Sequence, residues 1–445
     1  MKMTRLLLLF ALLAVGFSCL LIACGDDDDD DNDNDADCIA CELTGECTEA
    51  LGPGWVCTGG CCVQVGDDDT DDDDDDDTGD DDDDDDDDDD VTPGDVDFTV
   101  ETVDRTSGGN RQTSIKATPD GAVHVAYTGC SNTSCDNNVL AYAVKTAGKD
   151  DFTATYIDKQ DNDTGWFPSM EIDGAGTIYI LYGNHQRHKL NFAWLEPAGA
   201  WQKQTIDNSN GGFWTSCVLA GDRLLMAHTE LDMPELVGSL EAGQYFNGSW
   251  AFEPVDASYE SGWFTAIAAT ADNRPVISYM AGGYPVGYLM IAEWTGTEWT
   301  LESLDGSAIG SDIAVDSFGY FHIVYAKVDS ADSNLWDLWY ATNSPDGQWS
   351  KIALDPGENT SDDTGHQPHL VIDENDVLHV SYRNGYYDEL RYARKIGDEW
   401  TIYTADAIGY GTYSSIALDG LGGVHIAYED GTNIKHAYCA TCADY

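Results

Sequence analysis

Basic residues are scarce in this chain of 445 residues. Lys and Arg together number 20, against 83 Asp and Glu, and the formal net charge at pH 7 is −63. The part that follows residue 90 still holds 50 acidic residues against 18 basic ones. Such a surface repels phosphate, which excludes nucleic acid as a predicted partner.

Several familiar motifs are also missing. The sequence has no helical hydrophobic period, no glycine-rich nucleotide loop, no cluster of metal ligands and no Ser-His-Asp arrangement. A helical fold and nucleotide-dependent chemistry are therefore excluded, and we predict no cofactor and no metal site. The runs of consecutive Asp attract divalent cations only diffusely, because they lack turns and a fixed geometry of oxygen ligands.

A long apolar run occurs only at the start of the sequence. Residues 1–23 begin with Lys2 and Arg5, and their apolar run is too short and wrongly flanked for a typical membrane span, which predicts an export signal. The run ends in "LIAC", which resembles the lipobox of bacterial lipoproteins. The resemblance implies cleavage before Cys24 and attachment of lipid to this cysteine; an uncleaved membrane anchor is the alternative.

The residue after this cysteine bears on location. In enteric lipoproteins an Asp at this place favours retention at the inner membrane, whereas this chain has Gly25. We therefore expect a lipid-anchored protein of the bacterial outer membrane, facing the cell surface or the periplasm.

Acidic tethers flank a small cysteine-rich segment. Residues 24–37 and 67–96 are dominated by Asp, and such self-repelling runs predict extended, solvated spacers. The segment between them, residues 38–66, is too small to fold on a hydrophobic core and lies in an oxidising compartment, so we predict three disulfides. Fifteen pairings are open and a zinc site is the rival explanation. The six cysteines are Cys38, Cys41, Cys47, Cys57, Cys61 and Cys62.

A repeat begins at residue 97. Each unit has four short runs rich in Val, Ile, Tyr and Thr, separated by Gly, Asp, Asn or Pro, which is typical of strands joined by hairpins. The second run recurs seven times, for example as "VHVAY" at 123–127 and "VHIAY" at 424–428. Seven four-stranded antiparallel units predict an all-β fold, a seven-bladed β-propeller over residues 97–445.

The first and last units are complementary. The final unit stops at "CATCADY" without a fourth strand, whereas "DFTVETVD" at 97–104 resembles the fourth strand "DFTATYID" at 151–158. We therefore predict that residues 97–104 complete the last blade, which hides an otherwise exposed strand edge.

Residues that recur from unit to unit are predicted to hold the fold. They include four histidines at one position, two histidines where other units have Tyr, and Asp residues in the first hairpin of each unit. Two pairs of close cysteines predict local disulfides, and one cysteine within an inner strand predicts a buried free thiol. The histidines are His124, His322, His379, His425, His228 and His436, and the cysteines are Cys130 with Cys135, Cys439 with Cys442, and Cys217.

The starts of the inner strands carry the strongest signal for a ligand. Three consecutive units place two adjacent aromatic residues there, beside Arg, Gln and His from other units, on the face that carries the longest loops. Aromatic platforms with a few polar groups suit sugar rings or an extended polymer. Alternatively, one aromatic of each pair fills the gap between blades. The predicted ligand-binding residues are Arg111, Gln112, Trp166, Phe167, Phe213, Trp214, Trp263, Phe264, Tyr284, His366, Gln367 and Tyr413.

The repeated pattern "PSxxxDxxGxxHIxYxD…LxYA" resembles the BNR and sialidase-like propellers of bacterial surface lipoproteins, over roughly residues 97–440. The sialidase Asp-box "SxDxGxxW" has only the shortened counterpart "SPDGQW" at 344–349. Sialidases also use three arginines that bind a carboxylate, and in this chain only Arg111 enters an inner strand. Polysaccharide lyases of the same broad group use His, Tyr and Arg; "GHQP" at 365–368 and "YGNHQRH" at 182–188 resemble their motifs but fall in different blades. The resemblance implies a glycan ligand and these catalytic candidates: His185, Arg187, His366, Arg383 and Tyr387.

Two functional hypotheses follow. The first is a non-catalytic, monomeric binding or adhesion module for an extracellular glycan or protein. The second is a glycan-active enzyme on the same face. This enzyme is either a lyase, with His185 or His366 as base and Arg187 or Arg383 neutralising a uronate, or a sialidase-like hydrolase.

Overall fold

The structure is a computed structural model. It describes residues 55–58, 61–64, 96–105, 111–130, 137–159, 163–208, 210–232, 237–258, 260–283, 286–328, 335–357 and 363–443. The chain divides into two compact units, Met1–Asp89 and Asp90–Tyr445. The predicted signal peptide, Cys24, Cys38, Cys41, Cys47, Cys135 and Tyr284 lie outside the described residues.

Two short strands are described in the first unit. β1 (Trp55–Thr58) pairs antiparallel with β2 (Cys61–Gln64), and Cys57 stands opposite Cys62 in this ladder. None of the described residues in either unit forms a helix of the length and hydropathy needed to cross a membrane.

The second unit is built of antiparallel sheets, and its described residues contain no helix. In sheet I are β4 (Thr113–Ala117), β5 (Val123–Cys130), β6 (Asn138–Lys145) and β7 (Thr153–Asp158). In sheet II are β8 (Thr164–Ile172), β9 (Ile178–Asn184), β10 (Lys189–Leu195) and β11 (Gln202–Asp207). In sheet III are β12 (Phe213–Ala220), β13 (Arg223–Asp232), β14 (Val237–Phe246) and β15 (Ser249–Asp256).

One long strand joins the next two sets of strands. In sheet IV are β16 (Trp263–Ala269), β17 (Pro275–Ala281), β18 (Gly287–Trp294) and the first half of β19 (Trp299–Val315). In sheet V are the second half of β19, β20 (Phe321–Val328), β21 (Trp336–Asn343) and β22 (Trp349–Asp355). Because β19 continues without a break, sheets IV and V form one seven-stranded sheet.

The last two sheets contain the remaining strands. In sheet VI are β23 (His366–Ile372), β24 (Leu378–Asn384), β25 (Glu389–Ile396) and β26 (Glu399–Asp406). In sheet VII are β27 (Thr412–Leu418), β28 (Val424–Glu429), β29 (Asn433–Cys439) and β3 (Thr99–Arg105). The fourth strand of sheet VII therefore comes from the other end of the unit, with His436 opposite Glu101.

The first strands of consecutive sheets contact one another. These contacts run from β4 through β8, β12, β16, β19, β23 and β27, and β27 contacts β4 again. The hydrophobic clusters lie between neighbouring sheets; one of them combines Leu140 of sheet I with Met170 and Ile180 of sheet II. Alternating small and large apolar residues on these strands thus bury both faces of each sheet.

Aromatic residues that precede the fourth strands pack between sheets. The ring of Trp201 lies 5.1 Å from that of Tyr142 in sheet I, and Trp400 lies 5.1 Å from Tyr340 in sheet V. Phe98, just before β3, lies 5.5 Å from Tyr392 in sheet VI. The equivalent positions therefore serve the fold, including the one contributed by the N-terminal strand.

A hydrogen bond between Tyr and Asp joins consecutive sheets. The Asp at the end of a fourth strand accepts it from a Tyr hydroxyl in the second strand of the next sheet, as between Tyr182 and Asp158, at 2.9 Å. Burial raises the pKa of Tyr279 and Tyr325, so these two tyrosines remain neutral donors. The other five pairs are Tyr127–Asp104, Tyr279–Asp256, Tyr325–Asp305, Tyr382–Asp355 and Tyr428–Asp406.

The repeated turn aspartates and the repeated histidines form hydrogen bonds within their own sheets, as sheet VI shows. Oδ1 of Asp373 accepts the backbone N–H groups of Asn375 and Val377, which closes the hairpin between β23 and β24. His379 is fully buried, with Nδ1 2.7 Å from the Tyr392 hydroxyl. Burial lowers the pKa of His379 to about 4.

The cysteines occupy different places in the second unit. Cys439 and Cys442 form a disulfide bond, and Cys130 is also disulfide-bonded. Cys217 is a buried free thiol in β12.

We expect removal of residues 97–105 to lower the melting temperature by roughly 10 °C or to prevent folding, because β29 would lose its ladder partner and Val103 its burial. Differential scanning calorimetry and size-exclusion chromatography test this. The matched control lacks residues 25–90 but keeps β3, and a peptide of residues 96–105 added in trans is expected to restore stability. Unchanged melting after deletion would contradict the role of β3.

We expect His379 to make folding less favourable in acid. Its folded pKa of about 4 lies below the ordinary 6.5, so the unfolded chain takes up a proton first as the pH falls. This stability is complete above pH 6.5 and is lost towards pH 4, by about 3 kcal/mol. The double variant His379→Tyr/Tyr392→Phe copies Tyr179 and Phe192 of sheet II, and its urea midpoint is expected to fall less between pH 7 and pH 4.5. Parallel pH profiles would refute the assignment.

Candidate functional site

Several first strands begin with the same backbone distortion. In sheet II, Gly165 and Phe167 both have positive φ, 81° and 51°, and the register of β8 shifts there. A Cβ on Gly165 would lie 2.5 Å from the backbone nitrogen of Leu140, so only glycine fits this close approach. The positive φ recurs at equivalent residues of other sheets, namely Trp214, Phe264, Gly310, Gln367 and Tyr413.

The distortion separates the two aromatics of each pair. Phe213 and Trp263 are 4% and 3% exposed and form a cluster between sheets. Their neighbours Trp214 and Phe264 are half-buried and turn to the inner side of the first strands. In sheets III and IV, therefore, one aromatic fills the gap between sheets and the other lines the cavity.

Threonine hydroxyls hold the distorted residues in place. Thr113 Oγ1 donates to the carbonyl oxygen of Tyr413 at 2.8 Å, which links sheet I to sheet VII. Thr215 and Thr265 donate in the same way to the carbonyls of Phe167 and Trp214. The first strands of sheets I, III and IV thus each anchor the strained residue of the preceding first strand.

Two of the polar residues predicted to bind a ligand, both glutamines, also form hydrogen bonds to the backbone of aromatic residues in the next sheet. The backbone N–H of Phe167 donates to Gln112 Oε1 at 2.9 Å, and that of Tyr413 donates to Gln367 Oε1 at 2.7 Å. Both glutamines line the cavity. Their carbonyl ends are committed to the backbone, so the amide NH₂ groups are the parts that remain to meet a ligand.

The first strands surround a cavity of about 780 Å³. Phe167, Trp214 and Phe264 form a continuous aromatic ladder along one side of it, with ring centres 5.0 and 5.1 Å apart. The rim also carries Trp166, Ile309, His366 and Tyr413. A volume of this size accommodates a small oligosaccharide or part of a longer chain.

Serine hydroxyls below the rim connect the strands. Ser114, Ser169 and Ser216 accept the backbone N–H groups of Met170, Cys217 and Ile267 from the next sheet, at 3.0 to 3.1 Å. In sheet V the same position is Asp312, whose carboxylate accepts the N–H of Leu370 at 2.8 Å. These hydroxyls and this carboxylate are part of the scaffold of the cavity wall.

Charged groups lie deeper on the wall. The Lys116 ammonium pairs with Glu171 at 2.8 Å; burial alone would lower the pKa of Lys116, but this carboxylate raises it above its ordinary value. His369 Nδ1 lies 3.3 Å from Asp312. Burial raises the pKa of the Cys217 thiol to about 12, so it stays protonated and unreactive. Among the described lining residues, Lys116 is the only Lys or Arg.

Arg111, Phe213 and Trp263 were predicted as ligand-binding residues, but the structure does not bring them to the cavity wall. The Arg111 guanidinium is 1% exposed and donates to the carbonyl of Thr128 at 3.0 Å, while its backbone N–H donates to Glu429. Arg111 therefore braces sheet I against sheet VII. The other two fill the gaps between sheets, as described above.

The catalytic candidates are not gathered on the cavity wall. His366 lines it, with Nε2 2.8 Å from Asp363 Oδ1. His185 lies outside the lining, 5.1 Å from the ring of Trp166 and 3.5 Å from Asp163. Arg187, Arg383 and Tyr387 are also absent from the described lining, and Arg383 donates to Asp388 at 2.6 Å.

Sequence reasoning missed the groups that orient the rim. Asp163 accepts the Trp166 indole N–H at 2.7 Å, as Asp363 orients His366 in sheet VI. Both aspartates stand two residues before a first-strand glycine, a spacing visible in the sequence as "DTG" at 163–165 and 363–365. The Lys116–Glu171 pair had no such signal, because its members meet only across two sheets.

No family model matches the chain, and no curated protein matches it in sequence. Solved structures do match. The polysaccharide lyase Uly1 is 10% identical at a TM-score of 0.50, with 74% of this chain and 90% of that chain covered. A puromycin hydrolase mutant is 13% identical at a TM-score of 0.50, with 72% of this chain and 50% of that chain covered.

Weaker likenesses extend to carbohydrate-related structures. A mutant lectin of Aleuria aurantia in complex with Fucα1-6GlcNAc is 12% identical at a TM-score of 0.45, with 68% of this chain and 98% of that chain covered. Sialidases also match, at TM-scores below 0.5. At these identities the matches show the fold alone: the chain has an all-β, β-propeller-like fold.

Proposed function

We propose that sheets I to VII are the blades of a seven-bladed β-propeller closed by β3, and that its axial cavity binds an uncharged glycan without catalysis. The return of contacts from β27 to β4 and the pairing of β3 with β29 support the closed ring. The Tyr127–Asp104 bond supports it too, because it links sheet VII to sheet I in the way the other sheets are linked.

The observation that carries the binding proposal is the aromatic ladder of Phe167, Trp214 and Phe264. Flat apolar rings stack on the C–H faces of pyranose sugars, and successive rings 5.0 to 5.1 Å apart offer a continuous surface to a chain of sugars. The Gln112 and Gln367 amides and His366 supply the polar groups that orient hydroxyls.

The charges of the cavity favour an uncharged ligand. Lys116 is already neutralised by Glu171, and Asp312 adds a further negative charge near His369. A uronate or sialate placed here would meet two carboxylates and no Arg among the described lining residues. The acidic surface of the whole second unit opposes acidic ligands over a longer range.

The same geometry disfavours lyase and sialidase chemistry. Such an enzyme needs a base and a cationic group beside one sugar, but His366 lines the cavity whereas Arg187 and Arg383 do not. A binding module makes no such demand on geometry, because stacking and hydrogen bonds suffice.

The binding unit is proposed to be displayed from a membrane. The "LIAC" lipobox at 21–24 would supply a lipid anchor at Cys24, and the two acidic tethers would hold the propeller away from the lipid surface. The scarcity of basic residues fits this arrangement, because an acidic unit is not drawn onto anionic lipid.

We expect Trp214→Ala and Phe264→Ala each to weaken binding of neutral oligosaccharides about tenfold, equivalent to about 1.4 kcal/mol of lost stacking. A glycan array identifies the ligand and isothermal titration calorimetry measures the affinity. Phe318→Ala is the matched control, since Phe318 is an aromatic exposed by 76% in a hairpin turn and absent from the described cavity lining. Absence of any glycan binding would refute the proposal, and new unsaturated or hydrolysed products would establish the enzyme instead.

We expect Cys24→Ser to abolish incorporation of radiolabelled palmitate into the protein in a bacterial host. The substitution removes the thiol that accepts the lipid and leaves the apolar run intact. Cys217→Ser, at a buried thiol, is the control. Retention of the label in the Cys24 variant would exclude this anchor.

A further inference from the structure

One junction between sheets departs from the Tyr–Asp pattern. At the position where six second strands carry the bonded tyrosine, β13 carries His228, and its imidazole is fully buried. Asp207 ends β11, in the place of the aspartates of the other pairs, and Glu241 lies directly opposite His228 in β14. Three groups that ligate metals therefore meet where the other sheets use a hydroxyl and one carboxylate.

The three groups are close enough to share one ion. One ligand atom from each of Asp207, His228 and Glu241 lies within 4.8 Å of the other two. His228 Nε2 is 2.9 Å from Glu241 Oε2. Tetrahedral zinc with bonds of about 2.0 to 2.1 Å separates its ligands by roughly 3.3 Å. The ion would therefore push Glu241 away from His228 by a few tenths of an ångström and draw together those ligand atoms that lie farther apart, up to 4.8 Å.

The charge at this junction differs from that at three of the other junctions. Asp158, Asp305 and Asp355 each pair with a Lys or Arg, for example Asp355 with Arg391 at 2.8 Å. The residue that faces His228 is instead a second carboxylate, Glu241. Two carboxylates around one buried imidazole are costly in free energy unless positive charge accompanies them, and a divalent cation supplies it.

The surroundings suit a metal-bound imidazole. His228 Nδ1 accepts the backbone N–H of Gly212 at 3.3 Å and also lies 3.3 Å from the carbonyl oxygen of Thr229. Binding of the ion at Nε2 would turn Nδ1–H into a donor to that carbonyl. A Cβ on Gly211 would collide with Asp207 and His228, so glycine keeps this space clear. Asp207 and Glu241 are partly exposed, which gives an ion access from solvent.

We propose that Asp207, His228 and Glu241 bind one divalent transition-metal ion, with zinc as the preferred ion, that joins sheets II and III. One imidazole nitrogen and two carboxylate oxygens favour zinc over calcium or magnesium, which take oxygen ligands alone in most protein sites. The replacement of Tyr by His is the only sign of this site in the sequence, because the three residues come from three strands in two sheets.

The test compares the full chain with two variants after treatment with a chelator. His228→Tyr restores the residue of the other six junctions, and Glu241→Gln keeps size while removing a ligand. Isothermal titration with zinc chloride is done at high ionic strength, which suppresses diffuse binding to the runs of Asp. We expect the wild type to bind one more equivalent of zinc than either variant, with micromolar or tighter affinity, and to melt at a higher temperature in zinc.

Calcium and magnesium chloride are expected not to reproduce the extra equivalent. Near-ultraviolet circular dichroism without metal checks that both variants fold. If one variant does not fold, the zinc titration of the other is compared with that of the wild type. Equal zinc stoichiometry, affinity and melting shift in the wild type and the folded variants would overturn the proposal. Diffraction at the zinc absorption edge is expected to place the ion between the three residues. An ion bound elsewhere would also overturn the proposal.

Discussion

A buried hydrogen bond from tyrosine to aspartate is the constraint on which the rest of the structure depends. Six such bonds join consecutive sheets, and each lies where a fourth strand ends and the next first strand begins. A hydrogen bond to a charged group contributes about 1.5–3 kcal/mol, and loss of the tyrosine would remove this bond between the two sheets. The bond therefore holds consecutive sheets together and fixes the angle between them. That angle sets where each first strand meets the wall of the cavity.

The arrangement of the cavity rim follows from that placement. Glycine with positive φ lets a first strand pass close to the preceding sheet, and the next residues turn so that Trp214 and Phe264 face inwards. Positive φ at an aromatic residue is strained, and the Thr–carbonyl bonds from the next strand hold it. The rim is thus held in one arrangement, which would lower the entropic cost of the proposed glycan binding.

Much of this architecture could be predicted from the sequence. Short alternating runs separated by turn residues predict strands, and the missing last strand predicts the role of residues 97–104, which pair with β29 in the structure. The site was predicted less completely. Periodicity placed two aromatics at the start of three consecutive first strands. It could not say which of them faces the cavity, because the distortion at Phe167 and Trp214 breaks the alternation of strand residues. Arg111 had the right position and the wrong environment, since Thr128 and Glu429 approach it only in the folded protein.

The sequence by itself determined the strand content, the repeat, the acidic character and the residue types at the rim, because these depend on local preferences and on composition. The tertiary structure alone decided which aromatics meet the cavity, that Lys116 is neutralised by Glu171, and that Asp207, His228 and Glu241 converge. These pairs and clusters bring together residues from different strands and sheets. Their distances depend on the angle at which the sheets pack, and no local pattern in the chain encodes that angle.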